Sequence, residues 1–143
     1  MIRKAEPGDE RTLAALASKL WAHLPEELAE EFDALLKSPE CALFLLYAND
    51  SPAGFAQCQL RQDYVEGTDS SPVGYLEGVY VEPCERRKGN ARRLISACEA
   101  WAKAQGCREF ASDCELTNGE SLAFHLASGF TEANRIICFV KQL

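Results

Sequence analysis

Histidine is scarce in this chain. There are two, His23 and His125, and neither stands in the short pairings with cysteine or a second histidine that hold zinc. Cysteine reaches seven, but the count is odd and no C-x-x-C pair occurs, so neither a redox pair nor a disulfide framework is indicated. No stretch approaches the roughly 18 apolar residues of a membrane span. The N-terminal "MIRKAEPGDERTL" lacks the apolar core of a signal peptide. The expectation is therefore seven reduced thiols in a cytoplasm, and no metal. Two nucleotide signatures are missing as well, since neither G-x-x-x-x-G-K-[ST] nor G-x-G-x-x-G is found. Repeats and low-complexity tracts are absent, and 143 residues suit one domain over 1–143.

Basic charge is in short supply too. Lys and Arg number 15 against 22 Asp and Glu, for a net charge of −7. That balance disfavours nucleic acid as a partner and favours a cation. The charge is unevenly spread. "EELAEEFD" (26–33) holds five acids in eight residues, which a solvated helix face also explains. Segment 82–93 has five bases and two acids, so it carries +3 and leaves −10 for the rest of the chain.

What is present reads as a mixed α/β domain. "IRKA" (2–5) suits a first strand, and Asp9 a helix N-cap. Leu13, Leu16, Ala17, Leu20, Trp21 and Leu24 recur at helical spacing. Pro25 ends that helix and opens a second one. "CALFLLYA" (41–48), a turn at 49–54 and "FAQCQLRQDYV" (55–65) predict a hairpin, and "VGYLEGVYV" (73–81) a central strand. Helices are expected over about 87–105 and 118–128, a strand at 109–115, and one or two last strands in "FTEANRIICFVKQL" (130–143).

The central strand runs into "EPCERRKGNARRL", a tight basic turn that opens a helix. Helix N-termini carry unpaired N–H groups at the positive end of the dipole and bind phosphate well. Gly89 permits close backbone approach, Ala91 is small, and Arg86, Arg87 and Lys88 add charge. The turn is a candidate anion site, although a lone basic turn with one glycine is by itself a weak signal.

The run Val81 to Ala91, V-x-P-x-x-R-R-K-G-N-A, resembles the acetyl-CoA signature of the GNAT superfamily of N-acetyltransferases. The later N-x(10)-G-F, Asn118 to Phe130, resembles that family's second block. A longer run, "LRQDYVEGTDSSPVGYLEGVYVEP", is similar to aminoglycoside 6′-N-acetyltransferases, as are Leu20-Trp21 with Pro25, and "CREFASD" (107–113). The resemblance covers essentially the whole chain. It implies a GNAT fold of class α/β (α+β), with a mixed, mostly antiparallel sheet of 6–7 strands, four helices, and strands four and five splayed. It implies acetyl-CoA as cosubstrate and a polycationic aminoglycoside as acceptor. It also suggests a homodimer, in which the tail "RIICFV" (135–140) exchanges as a strand.

By the same resemblance, the pyrophosphate of coenzyme A sits on the amides of Arg87 to Ala91, with Arg86, Lys88, Gly89, Asn90 and Arg92 around it. The pantetheine arm pairs with Val79 and Val81. The Val79 N–H polarises the thioester carbonyl, and Asn118 bonds the arm or simply caps its helix.

An acceptor ammonium cannot attack until it loses a proton. Glu77, a carboxylate inside an apolar strand, is the candidate to take that proton and anchor the cation. Its other role is a strand glutamate paired with Arg61 or Arg108. Asp113 is a second ligand for an ammonium, or a strand-end cap. Trp21 and Tyr64 are candidate walls for sugar rings, though Trp21 also fits a core stripe. Glu26 and Glu27 are candidate rim acids. His125 stands where many GNAT enzymes have the tyrosine that protonates the departing thiolate; it serves that role or packs in its helix. Two rivals stay open: acetylation of a polyamine or protein amine, and an acyl-CoA-binding module without turnover.

Overall fold

A computed structural model describes residues 1–143. The elements run β1 (Ile2–Lys4), α1 (Glu10–Ala17), α2 (Pro25–Leu36), β2 (Cys41–Ala48), β3 (Ser51–Arg61), β4 (Val73–Val81), a 3₁₀ turn (Pro83–Glu85), α3 (Asn90–Ala104), β5 (Phe110–Ala111) and α4 (Gly119–Ala127). The strands form one mixed sheet in the order β1-β2-β3-β4-β5. The first three pairings are antiparallel and β4–β5 is parallel.

Side chains of a strand alternate between faces, and here both faces are covered. Leu43, Leu45 and Phe55 pack against α1 and α2 through Leu13, Leu16, Leu28 and Phe32. Ala42, Phe44, Leu46, Ala56, Cys58 and Leu76 pack against Leu94, Ile95 and Cys98 of α3. That is why β2 reads as an unbroken apolar run rather than an alternating one. No helix is long and apolar enough to cross a membrane.

Several boundaries differ from the sequence reading. Helix α1 ends at Ala17, although apolar spacing continues to Leu24. Pro25 occupies the first turn of α2 and holds Leu24 extended, at φ −69° and ψ 140°. The intervening amides tighten onto nearer carbonyls, Lys19 N–H to Leu16 O and Leu20 N–H to Ala17 O, and Leu24 is left 62% exposed. The β2–β3 hairpin reverses on Asn49 and Asp50 alone, both left-handed at φ 50° and 62°, so β3 starts at Ser51 and not at 55. Pro52 is accommodated because the ladder shifts register beside it.

The sheet has five strands rather than six or seven. Strand β5 holds two residues of the seven expected, and 130–143 form no strand. A strand needs a neighbour, and none in this chain runs beside the tail. Ile137, Phe139 and Val140 are 81%, 90% and 88% exposed.

Candidate active site

The site is built where β4 loses its partner. Strand β5 pairs with β4 only at Gly74–Phe110 and Tyr75–Ala111. Ser112 Oγ reaches the Leu76 carbonyl at 3.3 Å, and beyond that the two strands part. From Glu77 to Val81, β4 has a ladder only on its β3 side. The β3 side is irregular at the same place. Gln57 faces Gly78 and the next residue, Cys58, faces Leu76, so Glu77 is the extra residue of a bulge. Bulges re-aim a side chain, and this one lets a carboxylate leave an otherwise apolar strand. Val79 and Val81 lie farther along the open edge, Val79 half-buried and Val81 buried.

At the C-terminal end of that edge lies the basic turn. Arg87 and Gly89 both adopt left-handed backbone, at φ 61° and 77°. The six backbone N–H groups from Arg87 to Arg92 donate to no protein atom. A Cβ on Gly89 would meet nothing within 4 Å, so the cradle is open. Its frame is held from behind. Arg86 Nε donates to the Val81 carbonyl at 2.8 Å and its guanidinium lies over Tyr80. Asn90 is buried and donates to the Glu85 carbonyl at 3.0 Å. Arg92 donates to the Ala127 carbonyl, tying α3 to α4. Arg86 and Asn90 thus brace the loop through their side chains. Arg87 and Lys88 remain exposed around it, and Lys88 pairs with Glu85 at 3.2 Å.

Around the bulge stands a chain of polar contacts. Arg61, the last residue of β3, donates from Nη2 to Glu77 Oε1 at 2.9 Å, while Arg108 is exposed. The Arg61 guanidinium lies 3.5 Å from the centroid of the Tyr75 ring. The Tyr75 hydroxyl donates to Asp113 Oδ2. Burial, and then the bond to Asp113, push the Tyr75 phenol well above its ordinary range, so it stays a donor. Glu77 and Asp113, 36 residues apart in sequence, are joined by one guanidinium and one ring.

Trp21 closes the other side of the bulge. Its ring sits on Gly78, where a Cβ would come within 2.5 Å of Cζ2, and it packs edge-on to Phe55 at 5.7 Å. Tyr64 is 75% exposed in the loop after β3. Glu26 and Glu27 lie exposed in the first turn of α2. Arg61, Tyr64, Tyr75, Ser112, Asp113 and His125 share the wall of a cavity of about 860 Å³.

His125 faces that cavity from α4. Its Nδ1 lies 2.7 Å from the Ser121 carbonyl, an acceptor, so Nδ1 carries a hydrogen. Its Nε2 meets Ser112 Oγ at 2.8 Å. Asn118 caps α4, its Oδ1 accepting from the Ser121 N–H at 3.0 Å. Tyr75 and Ser112 escape a sequence search because a strand tyrosine reads as core and a strand serine as filler. Only the return of β5 beside β4 gives them partners.

Comparison with known proteins agrees with this architecture. Residues 10–130 match the Acetyltransferase (GNAT) family. The chain is 44% identical over 143 residues to an aminoglycoside N(6′)-acetyltransferase type 1 of Stenotrophomonas maltophilia, covering 99% of this chain and 93% of that one. It is 42% identical to the protein of that name from Serratia marcescens over 131 residues, 90% of each. Among solved structures, aminoglycoside N-acetyltransferase AAC(6′)-Iy in complex with CoA superposes with a TM-score of 0.96 at 36% identity, over 100% of this chain and 95% of that one. The same enzyme with the bisubstrate analogue CoA-S-monomethyl-acetylneamine gives 0.95 at 36% identity, over 100% of this chain and 98% of that one. The chain belongs to the GNAT acetyltransferase family.

Proposed function

We propose that residues 1–143 act as one domain that transfers acetyl from acetyl-CoA to the 6′-amino group of aminoglycosides, by direct attack in a ternary complex in the cytoplasm. One juxtaposition carries this. A single open strand edge has an unsatisfied N–H cradle at one end and a carboxylate aimed out by a bulge at the other. The first suits a pyrophosphate, the second an ammonium, and the thioester spans the strand between them. The names of the relatives at 44% and 42% identity supply the acceptor class.

In this scheme the amides of Arg87 to Arg92 hold the pyrophosphate. The pantetheine arm lies along Val79 and Val81, with Asn118 nearby. Glu77 holds the acceptor ammonium and takes its proton, directly or through one water. The amine attacks the carbonyl carbon, polarised by the Val79 N–H; the C–S bond breaks, and the nitrogen, made cationic by the attack, gives its second proton to solvent water to leave the neutral amide. The departing thiolate takes up a proton at the His125 side of the cleft, where Nε2 and Ser112 Oγ lie 2.8 Å apart. Trp21 and Tyr64 wall the sugar rings, and Asp113, Glu26 and Glu27 supply further anionic contacts.

Release of free thiol from acetyl-CoA, measured against a panel of amines, tests the proposal. Kanamycin is expected to support turnover. Turnover on spermidine and not on kanamycin would replace the aminoglycoside by a polyamine. Coenzyme binding without turnover on any amine would make the chain a sensor.

The same scheme includes a homodimer with exchanged tails. The tail is anchored at its start, where Asn134 donates to Glu66 at 3.0 Å, and then presents Ile136, Ile137, Phe139 and Val140 to solvent. An apolar segment of this kind suits a second copy's sheet. Light scattering at micromolar concentration is expected to give twice the 15.8 kDa of one chain, and a chain ending at residue 134 to run as a monomer. A monomeric full-length protein would contradict the exchange.

A further inference from the structure

We infer that Arg61 and Tyr75 are positioning residues that fix Glu77 and Asp113 relative to each other, making the site selective for acceptors that carry two ammonium groups. The inference rests on the reading of Glu77 and Asp113 as acceptor ligands. It goes beyond that reading by assigning their spacing to two residues that need not touch the acceptor.

The observation is how each carboxylate is used. Glu77 Oε1 is bonded by Arg61 and Asp113 Oδ2 by the Tyr75 hydroxyl. No donor reaches Glu77 Oε2 or Asp113 Oδ1. Each acid has one oxygen tied to the bridge and one left over. The bridge is stiff. Tyr75 is 6% exposed in the sheet, and the guanidinium carbon lies over its ring, 3.5 Å from the centroid. A guanidinium held over an aromatic ring at this distance is a favoured contact. The pair Arg61–Glu77, with side chains 38% and 21% exposed, adds little to stability, because partly exposed ion pairs are screened by solvent. Its value lies in orientation.

Two free oxygens at a set separation act as a two-point gauge for cations. An acceptor with one ammonium engages only Glu77. An acceptor with a second ammonium at the matching distance engages Asp113 as well. Loss of the Tyr75 hydroxyl lets Asp113 turn toward solvent, weakening the second contact while the ring still supports Arg61.

The test compares kanamycin with methyl 6-amino-6-deoxyglucoside, which has a single amine, in wild type, Tyr75→Phe, Asp113→Asn and the double variant. Tyr75→Phe is expected to raise the KM for kanamycin about tenfold, the scale of one hydrogen bond to a charged group. Its loss of kcat/KM on the monoamine is expected to be several-fold smaller than that on kanamycin. Adding Tyr75→Phe to Asp113→Asn is expected to change nothing further, since residues acting through one contact are non-additive. Arg61→Gln loses both supports and is expected to lower kcat on both acceptors, with Arg61→Lys recovering part of it. An unchanged kanamycin KM in Tyr75→Phe overturns the inference. So do equal losses on both acceptors, or additive effects in the double variant. Wild type inactive on kanamycin would instead sink the aminoglycoside proposal itself, which keeps the two failures apart.

Discussion

Glu77→Gln is expected to lower kcat/KM for aminoglycosides by about 10²–10³-fold, within the range that positioned proton transfer contributes. The amide keeps the size of the side chain and can still accept from Arg61, so the bulge and the Arg61 bridge survive. Two things are lost. The site no longer offers a formal charge to an ammonium, and it no longer accepts a proton. The loss is expected to be greatest near neutral pH and to shrink as pH rises, because bulk base then delivers the acceptor already neutral. The KM for acetyl-CoA should stay as in wild type, since the N–H cradle lies at the other end of the strand. Steady-state kinetics from pH 6 to 9 checks this. A pH–rate profile identical to wild type, with only KM for the aminoglycoside raised, would recast Glu77 as an anchor.

Ala91→Asp should separate fold stability from coenzyme binding. Residue 91 lies in the first turn of α3, behind Gly89 as N-cap. A carboxylate there gains about 0.3–1 kcal/mol from the positive end of the helix dipole, set against the cost of placing it where Ala91 is half-buried against the core, so the fold is expected to be retained. The same charge covers N–H groups that otherwise have no partner and repels a pyrophosphate. Affinity for acetyl-CoA should fall by about 10²-fold, as expected when charge-assisted bonds are replaced by repulsion. Thermal melting and coenzyme titration, run on one preparation, read both. A folded variant with normal coenzyme affinity would move the pyrophosphate elsewhere.

How much of this was legible in the sequence depends on whether an element is set locally. Strand β4 was read with its true ends, because an apolar run between loops fixes both. The basic loop was legible because Gly89, the bases and the helix start are adjacent in sequence. The odd carboxylate in β4 flagged Glu77, and Arg61 was named as one possible partner. The bulge that turns Glu77 outward was not legible, since it is a mismatch in register with β3. The shortness of β5 was hidden for the same kind of reason: its pairing stops when β4 diverges, and no residue in 109–115 announces that. The tail looked like a strand because its composition suits one, yet composition cannot supply a neighbour. Arg86 and Asn90 read as coenzyme contacts from the motif. Their side chains turn inward because the left-handed loop leaves the Val81 and Glu85 carbonyls to be satisfied. Tyr75 was invisible as a site residue, since its partner Asp113 lies 38 positions away.

The central claim is that one open strand edge brings a thioester and a cationic amine together. A crystal structure with coenzyme A and kanamycin bound tests it most directly. The pyrophosphate is expected on the amides of Arg87 to Arg92, and the 6′-nitrogen at about 3 Å from Glu77 Oε2, or one water away. A kanamycin whose 6′-nitrogen lies away from the Glu77–Val81 edge, with Glu77 touching Arg61 alone, would contradict it.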